Sequence, residues 1–456
     1  MSPGNRYAVV SGHGSRAGET TELLQALIRN ACVNDGDPAS GQEVRNADTI
    51  RAYLGRGGLD VESFEAAPGR VSLVARIEGS DPDAASLCLM GHTDVVPVNP
   101  EGWDRDPFGG ELVDGEVWGR GAIDMLNLTA SMAVAFRHLA ASSFRPRGDL
   151  IFFAVADEEA GSQLGAQWMA DHHWDAIRAD YVLTEGGGIH GGPTEAPVVT
   201  FNVAEKGVSW RRLIVHGEPG HGSMPFRSDN ALATAATVVT RLQEYSPGAR
   251  VHELWGHHIS ALDVEEDERR RLLDPVSLDE SLAEMANVGT ARHLHACSHT
   301  TFSPNVIAGG TKTNVIPDRV QLDVDIRTLP GEDAAAVAHH LEEALGPLAS
   351  AVDVETILDS PPSTSRHDTP LWDSLQRAVG REFPEARLAP NLHMGFTDAR
   401  VFRARGVVAY GAGLYSPEVE AGDFASRFHG HNERVDVESL RLTTDLWSAV
   451  ARDLLG

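Results

Sequence analysis

The sequence predicts an α/β fold, a mostly parallel sheet with helices on both faces, interrupted by an inserted α+β unit. Apolar runs of buried-strand length alternate with amphipathic helical runs in the first part of the chain. This alternation of strand and helix runs stops near Glu205 and resumes after the Ser/Pro-rich segment 360–365. A chain of 456 residues also exceeds what one hydrophobic core usually supports. We therefore expect one domain in two parts, 1–205 and 363–456, and an inserted domain at 206–362.

The elements of the first part follow from apolar spacing. Helices are predicted over 20–30 and 43–54, and strands over 61–64 and 71–77. Four later runs, which begin at residues 87, 150, 181 and 407, have the length and composition of buried strands. Each leads into acidic or imidazole side chains, in the order His92 and Asp94, Glu158 and Glu159, Glu185, and His429. Ligands bind beyond the carboxyl ends of parallel strands, so these residues predict one shared crevice.

Between these runs, Asp124 stands immediately before a helical run at 128–139, and the Gly-rich segment 186–192 is predicted to be a flexible loop. The inserted unit begins with an amphipathic strand at 210–215. Its further predicted elements are a helix at 230–245, a charged helical insertion, strands at 305–307 and 320–327, a helix at 332–345 and a strand at 352–357. They predict a mostly antiparallel sheet with two helices on one face. A final helix is predicted at 437–455.

The composition limits the class of protein. A formal net charge of -28 opposes binding to nucleic acid or to an anionic membrane surface and suits an enzyme that takes small-molecule substrates. Cys32, Cys88 and Cys297 form no CxxC pair, which argues against a disulfide framework and for a reducing compartment. The opening residues 1–18 carry no apolar signal-peptide core, and no run approaches the length of a membrane span. We expect a cytoplasmic protein.

The predicted crevice combines two histidines with several carboxylates and no cysteine. Such a ligand set suits zinc, manganese or cobalt. A cluster of acidic groups this dense would repel itself without cations. Two metal ions that share one bridging carboxylate would satisfy the set, and a water between them would become acidic enough to act as a nucleophile. The set consists of His92, Asp94, Asp124, Glu158, Glu159, Glu185 and His429.

These residues stand in motifs that resemble peptidase family M20, the di-zinc metallopeptidases that include aminoacylases, acetylornithine deacetylases, succinyl-diaminopimelate desuccinylases and glutamate carboxypeptidases. The motifs occur in the family's order and cover nearly the whole chain. They are Gly91-His92-Thr93-Asp94, Gly119-Arg120-Gly121-Ala122-Ile123-Asp124, Asp157-Glu158-Glu159-Ala160-Gly161, Thr184-Glu185-Gly186, Gly220-His221-Gly222-Ser223-Met224-Pro225 and His429-Gly430-His431-Asn432-Glu433. The resemblance implies a three-layer α/β/α zinc-peptidase domain with an inserted ferredoxin-like lid or dimerisation domain.

The resemblance also implies a role for each metal-site residue. One zinc ion would be held by His92, Asp124 and Glu185, and the other by Asp124, Glu159 and His429, so that Asp124 is the bridge. Cobalt or manganese could substitute. Asp94 would accept a hydrogen bond from the His92 ring. Glu158 would be the general base.

Further residues of the inserted domain receive roles from the same resemblance. His221 and Asn314 would stabilise the oxyanion and hold the substrate, and Arg327 would pair with a substrate carboxylate. The substrate would be an N-acyl amino acid or a dipeptide, cleaved by a deacylase, carboxypeptidase or dipeptidase activity. A homodimer formed through the inserted domains would let His221 act in trans. The alternative to action in trans is that the inserted domain closes over the crevice of its own chain. The alternative is a noncatalytic binding or regulatory protein on the same fold.

Three features depart from the family pattern or remain outside it. Leu126 and Asn127 follow Met125 where the family usually has Lys-Gly, and 393–398 replaces a more glycine-rich stretch. The insertion at 250–298 is longer than smaller family members have. Within it, His293, His295, Cys297 and His299 alternate, which in a strand would place all four on one side. We interpret them as a His-rich strand, and the alternative is a further metal site.

Overall fold

The structure is a computed structural model that describes residues 15–456. The prediction made for residues 1–14, as part of the segment without a signal-peptide core, lies outside the described residues. Within 15–456, no helix has both the length and the apolar character needed to cross a membrane.

The helices that the sequence predicted lie close to their predicted positions. The helices of residues 15–456 are α1 (Arg16–Arg29), α2 (Val44–Gly55), α3 (Leu126–Ala141), α4 (Ala166–His172), α5 (Trp174–Ile177), α6 (Ala231–Glu244), α7 (Trp255–Ser260), α8 (Glu266–Leu273), α9 (Leu278–Glu284), α10 (Val288–Ser298), α11 (Ala334–Leu345), α12 (Pro370–Glu382), α13 (Ala399–Arg403), α14 (Ala421–Arg427) and α15 (Val437–Leu455).

The strands are β1 (Glu62–Ala67), β2 (Arg70–Ile77), β3 (Leu87–His92), β4 (Glu111–Val113), β5 (Glu116–Trp118), β6 (Leu150–Val155), β7 (Tyr181–Thr184), β8 (Gly187–Gly191), β9 (Val198–Glu205), β10 (Gly207–His216), β11 (Gly220–His221), β12 (Thr301–Gly309), β13 (Val315–Ile316), β14 (Arg319–Thr328), β15 (Val352–Ser360), β16 (Ser363–Thr364), β17 (Arg387–His393), β18 (Val408–Gly411) and β19 (Arg434–Asp436).

The main sheet is mixed, with a parallel centre. Its order is β1-β2-β6-β3-β7-β18-β9-β16, and β8 and β17 also pair with β9. β3 runs parallel to both β6 and β7, and β18 runs parallel to β7, whereas β1 and β2 add an antiparallel edge. All residues of β3 and β6 are buried, as the continuous apolar runs predicted. The predicted α/β class is confirmed.

The chain divides into two compact units. The first contains 15–201, 366–388 and 401–456 of the described residues, and the second contains 202–365 and 389–400. The predicted boundaries at 205 and 362 differ from these by a few residues. The segment 389–400 differs more from the prediction. It belongs to the second unit, whereas the predicted range 363–456 places it in the first domain. The segment contains most of β17, which pairs with β9, and β9 leads the chain into the second unit. Strand pairing and not chain order therefore determines the unit to which this segment belongs.

The second unit contains a four-stranded antiparallel sheet in the order β12-β14-β10-β15. With α6 and α11, the chain order is β10-α6-β12-β14-α11-β15, which is the ferredoxin-like arrangement. One face of the sheet packs on both helices around a core that includes Leu213, Leu322, Val238 and Leu341. The inserted α+β unit is therefore confirmed.

The helical insertion between α6 and β12 has a small core of its own. Its helices α7 to α10 bury a cluster built around Trp255, Leu272, Leu294 and Cys297. The prediction of a His-rich strand at 293–299 is wrong, because residues 288–298 form α10, capped by the Asn287 side chain. The prediction that 186–192 is a flexible loop is also wrong, because β8 pairs antiparallel with β9.

Candidate metal centre

The parallel strands deliver most of the predicted site to one edge of the sheet. β3 ends at His92, β6 leads into Glu158 and Glu159, and β7 leads into Glu185. Because β6, β3 and β7 are neighbours and run the same way, these side chains meet beyond their carboxyl ends. His429 reaches the same edge from the segment that follows α14.

Asp124 lies at the centre of the group. Its Oδ1 atom is 3.2 Å from His92 Nε2, and its Oδ2 atom is 3.2 Å from His429 Nε2. His92 Nε2 is also 3.8 Å from a Glu185 oxygen, and His429 Nε2 is 3.4 Å from a Glu159 oxygen. One carboxylate therefore faces two separate clusters of imidazole and carboxylate, which is the geometry that a bridging ligand requires.

The His92 ring has a defined orientation. Its Nδ1 atom lies 3.0 Å from the Asp94 carbonyl oxygen and 3.5 Å from the Asp94 carboxylate. In this position Nδ1 donates to Asp94, and Nε2 is directed towards Asp124. The closer contact is with the Asp94 backbone carbonyl, and the Asp94 carboxylate lies farther from the ring.

Close packing behind the ring keeps His92 in place. Thr129 of α3 donates its hydroxyl to the His92 carbonyl at 2.8 Å. A Cβ atom on Gly91 would lie 2.4 Å from that hydroxyl oxygen, so only glycine fits between β3 and α3 at this position.

The Asp94 carboxylate holds a different part of the site. It accepts hydrogen bonds from the backbone N–H groups of Glu158 at 3.3 Å and Glu159 at 3.1 Å. Asn34 donates to it at 2.8 Å and also donates to Asp157 at 3.1 Å. Asp94 therefore orients the segment that carries both glutamates. Asn34 could not be predicted from the sequence, because its only signal is the spatial contact.

Glu433 supports Asp124 in a comparable way. Its buried carboxylate accepts the backbone N–H groups of Ile123 at 2.7 Å and Asp124 at 3.0 Å, and the Arg120 guanidinium at 2.7 Å. These bonds tie the segment after His429 to the segment before α3. Glu433 belongs to the motif that begins at His429, but the motif by itself predicts no role for it.

Burial and close contacts between charged groups shift the pKa values of several side chains in the site. Burial lowers the pKa of His92, but hydrogen bonds with Asp124 and Asp94 outweigh it and raise that pKa well above its ordinary value. The bonds to Asp124 and Glu159 raise the pKa of His429 to about 10. Burial and the Asp124 charge raise the pKa of Glu185 well above its usual range. A protonated His92 and a protonated His429 carry positive charge beside the neighbouring carboxylates, whereas a protonated Glu185 is neutral and adds no negative charge.

One buried carboxylate oxygen of Glu159 indicates that a metal cation, and not only protons, binds in this site. Glu159 Oε1 has no hydrogen-bond partner within residues 15–456, although Oε2 of the same carboxylate contacts His429. Leaving a buried carboxylate oxygen without a partner is costly, and a cation would satisfy it. His92, Asp124 and Glu159 form one group of converging ligand atoms, and His92, Glu158 and Glu185 form another. The donor set fits divalent metal ions.

A buried ion-pair network stands behind the centre. Arg70 is 1% exposed and lies 2.7 Å from both Glu43 and Asp157. Asp157 has a φ of 67°, a left-handed conformation that is uncommon for a non-glycine residue, immediately before the two glutamates of the site. The network therefore fixes the backbone from which Glu158 and Glu159 project.

Arg70→Met is expected to reduce the free energy of unfolding by about 3–5 kcal/mol, because it leaves two buried carboxylates without their cation. Denaturant-induced unfolding of metal-loaded protein measures the change. The matched control is Arg147→Met, since Arg147 pairs with Asp81 at the exposed surface and its loss should change stability little. Equal effects of the two substitutions would contradict the role assigned to the network.

The remaining predicted site residues lie in the second unit. His221 is exposed in β11, which pairs with β13, and its Nδ1 atom is 2.8 Å from the Ser223 hydroxyl. Asn314 lies beside it and accepts the Gly222 N–H at 2.8 Å through its carbonyl oxygen. Arg327 lies on β14 in the four-stranded sheet, where its Nε and Nη2 atoms donate to Asp325 at 2.8 and 3.2 Å.

Two imidazoles around a shared carboxylate, at the edge where the parallel strands of an α/β sheet end, are typical of a metal-dependent hydrolase. Residues 88–453 match the profile of peptidase family M20/M25/M40. The chain belongs to this family, as the sequence motifs predicted.

Individual relatives and a solved structure agree with this assignment. The chain is 28% identical to aminoacylase-1 of Sus scrofa over 405 residues, which cover 86% of this chain and 87% of the relative. It is 26% identical to the N-fatty-acyl-amino acid synthase/hydrolase PM20D1 of Xenopus tropicalis, over 83% of this chain and 74% of the relative. The fold is similar to that of the M20 family metallo-carboxypeptidase Sso-CP2 from Sulfolobus solfataricus, with a TM-score of 0.71, 18% identity and coverage of 96% and 99%.

Proposed function

We propose that this protein is a metal-dependent amidohydrolase that cleaves the amide bond of a small substrate carrying a free carboxylate, an N-acyl amino acid or a dipeptide. The observation that carries the proposal is the position of Asp124, whose two oxygens each lie 3.2 Å from a different imidazole. Family membership and the amide-hydrolase names of the relatives support it.

Two divalent ions of the group zinc, cobalt and manganese are the proposed cofactors. His92, Asp124 and Glu185 would hold one ion, and Asp124, Glu159 and His429 would hold the other. When bound, such ions polarise a carbonyl group and lower the pKa of a water molecule. Zinc is our specific proposal, because two imidazoles and several carboxylates are among its common ligands.

Glu158 is the proposed general base. Its carboxylate oxygen lies 4.0 Å from His92 Nε2, at the edge of the group that holds Asp124. It would accept a proton from the attacking water and later donate that proton to the leaving amine. Asp94 would position Glu158 through the backbone hydrogen bond described above. His221 and Asn314 would contact the oxyanion and the substrate.

A substrate panel tests this function. Metal-loaded protein should hydrolyse members of a set of N-acetyl, N-succinyl, N-carbamoyl and N-fatty-acyl amino acids and dipeptides. The relatives' names place N-acyl amino acids first in this panel. Absence of turnover across the panel, in protein shown to hold metal, would favour the alternative of a noncatalytic binding protein on the same fold.

Arg327 is proposed to bind the substrate carboxylate. Asp325 occupies its Nε and one N–H of Nη2, so the edge formed by Nη1 and Nη2 is the one that a substrate would use. Arg327→Lys keeps the charge but loses the planar fork, and we expect KM for a free-carboxylate substrate to rise by roughly tenfold or more.

The matched comparison is the same substrate with an amidated carboxyl group. Wild-type protein should hydrolyse the substrate with the amidated carboxyl group poorly. Arg327→Lys should change the rate on that substrate little further. Equal rates on the acid and the amide would remove this role from Arg327.

We also propose that the site is completed by a second copy of the chain. His221 lies in the second unit, whereas the proposed metal ligands lie in the first. A homodimer formed through the inserted units would place His221 in the partner's site. Mixing Glu158→Gln with His221→Ala protein should then restore partial activity after subunit exchange, because one site in each mixed dimer retains both groups. No recovery despite demonstrated exchange would contradict action in trans.

The proposed setting is cytoplasmic, without nucleic-acid or membrane partners. Its support is the strong negative charge and the three buried free cysteines, Cys32, Cys88 and Cys297.

A further inference from the structure

Helix α10 places a thiol and an imidazole on one face. His293 and Cys297 are four residues apart, so they project from the same side of the helix, and His293 Nε2 lies 3.8 Å from Cys297 Sγ. His258 from α7 stacks on His293, with ring centroids 5.0 Å apart. The three side chains thus converge from two helices of the insertion, in a part of the second unit distant in sequence from every predicted metal ligand.

The potential ligand atoms of His258, His293 and Cys297 all lie within 4.8 Å of one another. In a tetrahedral zinc site, nitrogen and sulfur ligands are separated by about 3.6 Å and two nitrogens by about 3.3 Å, given zinc–sulfur and zinc–nitrogen bonds of about 2.3 and 2.05 Å. The His293 and Cys297 atoms already stand at nearly that separation. Closing the group around an ion needs side-chain movements of about an ångström.

His258 carries the strongest indication of a missing partner. Its Nδ1 atom is 2.6 Å from the side-chain oxygen of Asn391, which assigns the proton to Nδ1. Its Nε2 atom, an acceptor in this tautomer, is buried and has no hydrogen-bond partner anywhere in 15–456. His258 is only 8% exposed. An imidazole that donates through one nitrogen and offers the other to an ion is the usual arrangement of a metal-binding histidine.

We propose that His258, His293 and Cys297 form a separate binding site for one divalent ion of the zinc type. Two imidazoles and a thiolate are ligands that zinc and cobalt prefer over magnesium or calcium. Three protein ligands leave a fourth position, which a water molecule would fill. The site differs in containing sulfur from the proposed metal site around Asp124, which we call the Asp124 centre. The proposed ligands of the Asp124 centre are His92, Asp124, Glu159, Glu185 and His429.

The protonation of the group is compatible with this proposal. Burial lowers the pKa of His258, and it lowers the pKa of His293 to about 4, so both rings are neutral at pH 7 and can coordinate without losing a proton. Burial raises the pKa of the Cys297 thiol to about 12. Binding therefore forms the metal–sulfur bond and releases the thiol proton to solvent.

The location indicates a structural consequence. Cys297 belongs to the apolar cluster of α7 to α10, and His258 sits on α7 beside Trp255 in that cluster. An ion here would join the first and last helices of the insertion. The 250–298 segment would then be stabilised by bound metal as well as by its small core.

Cobalt absorption distinguishes this site from the Asp124 centre. Full-length protein, stripped with a chelator and refilled with Co²⁺, should show a thiolate-to-cobalt charge-transfer band in the near ultraviolet, because only a cysteine ligand gives that band. The candidate ligands of the Asp124 centre include no cysteine. Elemental analysis of zinc-refilled protein should find one more ion per chain than the Asp124 centre takes.

Cys297→Ser should abolish the band and remove one bound ion, while the hydrolytic activity of the loaded protein stays close to wild type. Cys32→Ser is the matched control, because Cys32 is also buried and free but belongs to no group of converging ligands in the described chain. It should leave both the band and the metal content unchanged. His293→Ala should weaken the band, because it removes a second ligand of the proposed ion while the thiol remains.

The competing account is a thiol hydrogen bond, since 3.8 Å also fits an S–H group that donates to His293. In that case cobalt-loaded wild-type protein would show no charge-transfer band, and Cys297→Ser would bind as much metal as the wild type. Either result would overturn the proposal. The cobalt spectrum is recorded on the wild-type chain, so the test does not depend on the folding of any variant.

Discussion

Glu158→Gln is expected to lower kcat by roughly a hundredfold to ten-thousandfold, because glutamine cannot take the proton from the attacking water. Bound metal and substrate affinity should remain close to wild type. Glutamine has the same shape as glutamate and can still accept hydrogen bonds, so the loop held by Asp94 should keep its position. Steady-state kinetics with elemental analysis of the same preparation measures both quantities.

The neighbouring residue supplies the control. Glu159→Gln removes the carboxylate that lies 3.4 Å from His429, and it should reduce bound metal together with activity. The two substitutions are chemically identical and one residue apart. If Glu158→Gln lost metal to the same extent as Glu159→Gln, Glu158 would be a ligand and not the base.

Asp124→Ala is expected to have the largest effect on metal content. Both of its oxygens face imidazoles, so the substitution removes a ligand from each of the two proposed ions. The variant should retain little metal at the centre and show no measurable hydrolysis. The measurement is metal content after dialysis, made in a Cys297→Ser background so that only the Asp124 centre is counted.

Asp83→Ala serves as the control for this experiment, since Asp83 is an exposed aspartate in a surface turn. It should leave metal content and activity unchanged. Full metal content and activity in Asp124→Ala would show that the bridge has been assigned to the wrong carboxylate.

The sequence was informative where burial and chemistry coincide on one strand. His92 ends a continuous apolar run, and Glu185 follows another, so the strand and the site residue could be predicted together. Strand length, apolar content and the abrupt change to imidazole or carboxylate are local features. The rule that parallel strands share an edge then brought these residues into one predicted site.

The failures involve contacts that local patterns do not contain. Alternating histidines at 293–299 resemble a strand, yet Asn287 caps a helix there and the apolar residues Leu294 and Cys297 pack inward. The glycines of 186–192 indicate a loop, but β9 supplies a partner that turns part of the segment into β8. Asn34 and Glu433 support the site from positions far along the chain, and only the folded structure shows their contacts.

The most direct test of the central claim is metal dependence of amide hydrolysis by the wild-type chain. Protein stripped of metal by a chelator should not hydrolyse an N-acyl amino acid, and activity should return in proportion to the Zn²⁺ or Co²⁺ restored at the Asp124 centre. The His92→Ala and His429→Ala variants should fail to recover under the same conditions. Undiminished hydrolysis by the metal-free wild-type protein, or full recovery by both variants, would contradict the account.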